Sequence, residues 1–317
     1  MPCLNPLKIR NPKYKPTKKN DGVYDLPEDP RDLSLLVPCG KCVECRRRRA
    51  SDWRFRMHQE YKYSDKSFYF ITMTFNDESL KRLINETSVD SVDADYNSVV
   101  IFAVRRFLER YRKKYKVSLR HLFVTELGGE YDRIHVHGLI IGSKTDVKFH
   151  HKRYGIPVYR SPELEKLWSY GFIYLEGCSE RCVSYILKYI MKQDPQHPDY
   201  KPCLLVSPGL GKDYCNSSNI VIHHSIPGGM WYCVASSGWK VAMPRYYKLK
   251  IFTEEEREAR RKELLDNPPP FVFHGREFDS EESYRLFIYN YFRRTLALKV
   301  SFRNVKKPRI IFENLQF

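Results

Sequence analysis

A chain of 317 residues can bury a substantial core, in one large domain or two smaller ones. Its 55 Lys and Arg against 38 Asp and Glu leave a formal charge of +17, which calls for a polyanionic partner. Aromatic residues make up 14% of the chain, 23 tyrosines among them, and basic residues interleaved with flat rings suit single-stranded nucleic acid. With no apolar run of about 18 residues, no membrane span is expected. A polar N-terminus argues against a secretory leader, and nine cysteines without one suit a reducing compartment.

Residues 1–50 read as an irregular segment rich in Pro, Lys and Asn. Within it lies Cys39-Gly40-Lys41-Cys42-Val43-Glu44-Cys45, followed by Arg46, Arg47, Arg48 and Arg49. Three thiols at this spacing suit a structural Zn²⁺, with Cys3 or another cysteine completing four ligands; reduced cysteines near a turn are the plainer reading. A helix is predicted through Trp53, Met57 and Tyr61. The strand Phe68–Phe75 follows and stops at Asn76-Asp77. Ile101, Val104, Leu108, Tyr111 and Tyr115 are spaced for a helix over 100–116. Arg105, Arg106, Arg110, Arg112, Lys113 and Lys114 occupy its other faces, as a solvated or a DNA-facing surface.

His121–Glu126 and the alternating run Arg133–Gly142 are predicted to form a hairpin around a turn at Gly128–Asp132, which brings Glu126 close to His135. Ser161 as N-cap, Pro162 and Gly171 bound a helix over 161–171. The strand Phe172–Glu176 leads into a helix capped by Ser179. Residues 195–250, rich in Pro, Gly, Ser and aromatics, carry no assignable pattern. Residues 254–265 read as a charged helix and 281–297 as a basic, aromatic one. Helices alternating with hairpin-joined strands predict an α+β fold, an antiparallel sheet with helices packed on it.

The chemistry concentrates in two elements. His135 and His137 sit two apart on a strand, so both imidazoles share one face and make a half-site for a divalent metal. Tyr185 and Tyr189 are four apart on a helix and share one face, with Lys188 and Lys192 each three residues after a tyrosine. A tyrosine can attack phosphorus if a metal polarises the phosphate and a lysine supports the developing charge. Gly209-Leu210-Gly211-Lys212 lacks the full phosphate-loop spacing and the Ser/Thr after its lysine. His223-His224 is read as surface or core.

Thr72-Met73-Thr74 on a strand, the His-hydrophobic-His strand and the paired Tyr-x-x-Lys helix resemble, in order, the three motifs of the HUH endonucleases. Two tyrosines four apart resemble the two-tyrosine branch. The Pro-Cys-Gly-Lys-Cys-x-x-Cys segment and the element order are most similar to rolling-circle replication initiators of small single-stranded DNA phages of the microvirus group, gokushovirus type. The resemblance covers roughly residues 38–195. It implies a five-stranded antiparallel sheet related to the RNA-recognition fold. It also implies Mg²⁺ or Mn²⁺ held by His135, His137 and a third ligand matched by Glu126, and nucleophilic Tyr185 and Tyr189 that nick origin DNA and later rejoin it. On this reading residues 51–250 form the endonuclease domain, with 1–50 an irregular Cys-containing segment and 251–317 a basic helical region. The partners are single-stranded viral DNA, a host helicase and a host DNA polymerase, in the cytoplasm of a bacterial cell. A transposase- or relaxase-like strand transferase, or a non-catalytic single-strand-binding module, stand as alternatives.

Overall fold

The computed structural model describes residues 3–18, 20–87, 96–128, 133–191, 200–273 and 276–291. The chain divides into two compact units, one of residues 46–257 and the other of residues 1–45 with 258–317. In chain order the elements begin with β1 (Leu7–Arg10), β2 (Ser34–Val37), α1 (Val43–Tyr63), β3 (Phe68–Met73), α2 (Asp77–Glu86) and α3 (Tyr96–Tyr115). They continue with β4 (Arg120–Leu127), β5 (Ile134–Ile141), β6 (Lys148–Arg153), β7 (Ile156–Arg160), α4 (Pro162–Trp168), β8 (Ile173–Gly177) and α5 (Glu180–Met191). The remaining elements are β9 (Leu204–Val206), α6 (Ser217–His223), β10 (Tyr232–Val234), β11 (Lys240–Ala242), α7 (Arg245–Ile251), α8 (Glu254–Asp266), β12 (Phe271–Phe273) and β13 (Arg276–Phe278). No helix among the described residues is long and apolar enough to cross a membrane.

The larger unit is built on one antiparallel sheet of seven strands, in the order β6-β7-β8-β3-β5-β4-β9. The fold is α+β, as expected, but the sheet has two strands more than the resemblance implies. Four of the seven, β3, β4, β5 and β8, are legible as strands in the sequence, β5 by its alternation. The hairpin β6–β7 turns through Tyr154 and Gly155, both at positive φ (50° and 82°). Those dihedrals belong to a tight two-residue turn, and tyrosine is an uncommon residue to signal one. The three-residue β9 is too short to carry a period.

Strand alternation sorts the core into two layers. Ile71, Met73, Phe123, Val136 and Ile140 pack on one face with Val100, Val104, Phe107 and Tyr111 of α3 and Leu164 and Trp168 of α4. Phe68, Phe70, Leu122, Val124, Leu139 and Ile141 pack on the other with Ala50 and Met57 of α1 and Val183, Ile186 and Ile190 of α5. The buried stripe of α3 includes Val99, Val100, Ala103 and Phe107, whereas the predicted Ile101 and Leu108 are only partly covered, so the stripe is rotated from the one read in the sequence.

Three further expectations are corrected. Residues 1–50 are not irregular throughout, because β1 and β2 pair antiparallel and α1 already begins at Val43. Asn76-Asp77, expected only to end a strand, also starts helix α2, with the Asn76 side chain accepting from Ser79 N–H at 2.7 Å. Helix α4 starts as predicted, with Ser161 Oγ accepting from Leu164 N–H, but stops at Ser169 in a left-handed conformation rather than at Gly171. Gly171 serves a different end: a Cβ there would collide with the Thr74 carbonyl. Helix α8 matches its predicted span, and the helix over 281–297 is described to residue 291. In the smaller unit, Phe273, Tyr284 and Ile288 form a core with Phe271, Phe278 and Phe287.

Trp168 is the largest fully buried side chain and donates its indole N–H to Thr74 O at 2.8 Å. Trp168→Ala is expected to destabilise the unit by about 3–5 kcal/mol in denaturant unfolding. His121 is buried, with Nδ1 2.9 Å from Leu119 O and 2.9 Å from Ser207 Oγ, and burial holds its pKa below the ordinary 6.5. The unfolded chain therefore binds this proton more readily than the folded one. The stability from neutral His121 is present above the unfolded pKa and lost as pH falls through the folded value. The unfolding temperature should accordingly drop on acidification below about 6.5, and His121→Gln should lessen that acid sensitivity.

Candidate active site

Strand β5 lies between β3 and β4, and its register places Thr72 opposite His137 on one side and Glu126 opposite His135 on the other. His135 and His137 thus project from the sheet face that also carries Phe70, Leu139 and Val124. His137 Nε2 lies 2.9 Å from Glu126 Oε2, and its Nδ1 lies 3.1 Å from Thr72 Oγ1. An ionised carboxylate can only accept, so a neutral His137 donates Nε2–H to Glu126 and accepts a hydrogen bond from the Thr72 hydroxyl at Nδ1. A threonine hydroxyl can equally accept from Nδ1–H, so the opposite tautomer, with Nε2 free as a ligand, is supported by the same neighbour.

His135 stands one ring away, with centroids 6.2 Å apart and planes 22° from parallel. Burial, and then the neighbouring His137, push its pKa down, which favours the neutral imidazole a metal needs. Gly128 lies against this ring, and a Cβ there would sit 3.4 Å from His135 Cε1. The structure therefore brings Glu126 and His137 into contact and sets His135 beside them.

The tyrosines arrive on α5. Val183, Ile186 and Ile190 bury its inner side against the sheet. His58 of α1 fixes its first turns, with Nδ1 2.9 Å from Glu180 Oε1 and Nε2 3.3 Å from Ser184 Oγ. Tyr189 stacks on His137 at 4.5 Å between centroids and 18° between planes. Its hydroxyl donates to Tyr185 Oη at 3.2 Å. Burial first, then this bond and the nearby Tyr185, Glu126 and Glu176, raise the Tyr189 phenol well above its ordinary range, so it is neutral in the resting site. Tyr185 contacts Phe70 edge-on at 5.7 Å yet remains 46% exposed. Lys188 Nζ lies 5.0 Å from the Tyr185 ring centroid, a cation–π contact. Lys192 lies outside the described residues.

Arg105 and Arg106 are not part of this assembly. They are exposed on α3, which covers the opposite face of the sheet, and Arg106 pairs with Glu109 at 3.7 Å. Arg46, Arg47, Arg48 and Arg49 lie in the first turns of α1, the helix that packs on the tyrosine-bearing face. His223 is a core residue bound to Tyr214 Oη and Met230 O. Gly211 of the false phosphate loop donates its N–H to Glu60 Oε2 at 2.7 Å, so the turn is structural.

Sequence reasoning missed the other side of the site. Tyr174 and Glu176 of β8 sit opposite Thr72 and Phe70 of β3. His150 stacks on Tyr174 at 6.1 Å, and the β6–β7 hairpin adds Lys148, Lys152 and Arg153, with Tyr154 at its tip 96% exposed. The available signal was slight: Ile156, Val158 and Tyr159 after Gly155 favour a strand, but the run before Tyr154 is basic and polar.

Residues 68–194 match the family model described as replication-associated protein ORF2/G2P. The chain is 27% identical over 229 residues to the replication-associated protein ORF2 of Spiroplasma virus 4, covering 68% of this chain and 69% of that protein. It is 22% identical over 282 residues to the replication-associated protein ORF4 of Chlamydia phage 1, covering 81% of this chain and 65% of that protein. No solved structure matches significantly. The matched segment runs from the start of β3 to just past α5, and so contains the strands and helix that carry Thr72, Glu126, His135, His137, Tyr185 and Tyr189.

Gly138, on the histidine strand, packs closely against β4. A Cβ there would collide with the Leu122 carbonyl and the Phe123 ring and come within 3.0 Å of Phe123 Cα. Gly138→Ala should force β4 and β5 apart and destabilise the unit by about 1–3 kcal/mol, read as a lowered unfolding midpoint.

Proposed function

We propose that this relative of phage replication-associated proteins is a rolling-circle initiator, a nickase and strand transferase acting on single-stranded origin DNA in the bacterial host cell. One observation carries the reading most directly: two tyrosine hydroxyls lie 3.2 Å apart, with one of the rings stacked on the histidine that contacts Glu126. A structural core has no need of two phenols, one of them 46% exposed, beside an imidazole–carboxylate pair.

Glu126, His135 and His137 would hold Mg²⁺ or Mn²⁺. Two imidazoles and one carboxylate leave positions open for phosphate oxygens, and Thr72 supports the ligating tautomer of His137. When bound, such an ion polarises the scissile phosphate as a Lewis acid. Tyr185 or Tyr189 attacks phosphorus through Oη and gives up its proton. The bond from phosphorus to the 3′ oxygen breaks, and that oxygen takes up a proton. The products are a 5′-phosphotyrosyl link and a free 3′-hydroxyl for host polymerase to extend. Lys188, beside Tyr185, supports the negative charge that develops, and Lys192 is proposed for the same role beside Tyr189. The second tyrosine then cleaves the regenerated origin, and the new 3′-hydroxyl attacks the first phosphotyrosine to close a unit circle. The energy of the broken bond stays in the phosphotyrosine, so rejoining needs no nucleotide. Strand separation is left to a host helicase. Arg46 to Arg49 and the basic, aromatic β6–β7 hairpin supply phosphate and stacking contacts around the site.

The test is cleavage of single-stranded origin DNA with Mg²⁺ or Mn²⁺. The His135→Ala, His137→Ala double variant should lose cleavage while keeping most DNA affinity, which rests on distributed phosphate contacts. Tyr185→Phe and Tyr189→Phe should each retain one cleavage but release few circles, and the double variant should cleave nothing. Full nicking by the double-histidine variant would refute the site, and binding without cleavage by the unaltered protein would favour a non-catalytic module. For binding, neutralising Arg46 to Arg49 should flatten the log–log salt slope by about 0.7 for each phosphate that the arginines no longer neutralise.

A further inference from the structure

The smaller unit holds a second cluster that the nicking chemistry does not use. The antiparallel ladder of β1 and β2 ends with Leu7 opposite Val37, so Cys3 and Cys39 leave the same end of the ladder together. Cys39 N–H donates to Cys3 Sγ at 3.2 Å. The chain then folds back, so that Lys41 N–H and Cys42 N–H both point at Cys39 Sγ at 3.4 Å. Cys42 stands at the start of α1, and Cys45 N–H, in the first turn, points at Cys42 Sγ at 3.5 Å. Among the described residues this is the one cluster of three or more candidate donors whose ligand atoms all lie within 4.8 Å of one another.

We infer that Cys3, Cys39, Cys42 and Cys45 form a tetrathiolate site for one structural Zn²⁺. The sequence alone leaves the fourth ligand open, and the β1–β2 ladder selects Cys3. The other five cysteines, Cys178, Cys182, Cys203, Cys215 and Cys233, all belong to the larger unit. A tetrahedral zinc with Zn–S bonds of about 2.3 Å separates its sulfurs by about 3.8 Å. Cys3 Sγ lies 3.8 Å from Cys42 Sγ, and Cys39 Sγ lies 4.0 Å from Cys45 Sγ. These separations are too long for disulfides and close to the edges of that tetrahedron. Binding displaces four thiol protons and leaves a site of net charge −2. Backbone N–H groups already face the sulfurs of Cys3, Cys39 and Cys42, the start of α1 favours negative charge, and Lys41 and Arg46 stand next in sequence. The ion would clasp the segment before β1 to the loop after β2 and to the first turn of α1.

The experiment uses the full chain, purified under reducing conditions without added metal. Elemental analysis should find one zinc per chain. After the zinc is removed with a mercurial reagent and chelator, Co²⁺ should restore binding with the intense visible bands of tetrahedral cobalt and a sulfur-to-cobalt charge-transfer band. Cys3→Ser should weaken zinc binding by more than the roughly 10–100-fold seen when only an outer hydrogen-bond partner is removed, and should reduce the charge-transfer band. Cys203→Ser should change neither. Should Cys3→Ser fold poorly, Cys3→His keeps a donor and should retain one metal with a weaker charge-transfer band. The His135→Ala, His137→Ala protein should keep its zinc, which separates this site from the one proposed for nicking. A reduced, folded chain that carries no zinc and gives no tetrahedral cobalt spectrum, or a stoichiometric iron instead, overturns the inference. An unchanged zinc content and cobalt spectrum in Cys3→Ser overturns the assignment of Cys3.

Discussion

The register of β5 between β3 and β4 is the constraint on which the site depends. Because side chains alternate along a strand, a slip of one residue would send His135 and His137 into the layer occupied by α3 and bring Val136 to the working face. Three features hold the register. Ile134, Val136 and Ile140 are fully buried on one side, and Leu139 and Ile141 on the other. Gly138 admits the backbone of β4 at close approach. The His137 ring is bonded at both nitrogens, to Glu126 on β4 and to Thr72 on β3, so the three strands meet in one imidazole.

The two faces of the sheet then divide the labour. One face, under α3 and α4, is a large apolar core with a basic outer surface. The other carries the imidazoles, the carboxylate and the tyrosine helix, and the apolar side of α5 fixes how far the tyrosines can reach. His58 adds a polar tie from α1 to both Glu180 and Ser184, so the helix is located along its axis as well as against the sheet. Tyr189, stacked and half-buried, and Tyr185, exposed but bonded to it, occupy unequal environments on one face.

The residues of this centre are legible in the sequence because each signal is local. His135 and His137 are two apart on an alternating strand, Tyr185 and Tyr189 four apart on a helix, and a single hairpin turn brings Glu126 across. What is not legible depends on distant pairing or on residues whose local preference misleads. Thr72 becomes a partner of His137 only through the pairing of strands 65 residues apart. Tyr174, Glu176 and the β6–β7 hairpin join the site only because β8 lies beside β3. Cys3 meets Cys39 only because β1 pairs with β2. The basic face of α3 reads from composition as a DNA surface, but no periodicity tells which side of a sheet a helix will cover. Ser169 ends α4 in a left-handed conformation that glycine more commonly adopts, so Gly171 is the stronger stop signal in the sequence although the helix ends before it.

The central proposal is that α5 presents tyrosine nucleophiles to a phosphate bound through a divalent ion that Glu126, His135 and His137 would hold. Its most direct test is to incubate the full chain with Mn²⁺ and single-stranded circular DNA carrying the origin, digest the product with nuclease and protease, and locate any nucleotide-bearing peptide by mass spectrometry. The account predicts a 5′-phosphotyrosine at Tyr185 or Tyr189, accompanied by an extendable 3′-hydroxyl on the nicked strand. An adduct on any other residue, or cleavage that leaves no covalent protein–DNA species, would contradict it.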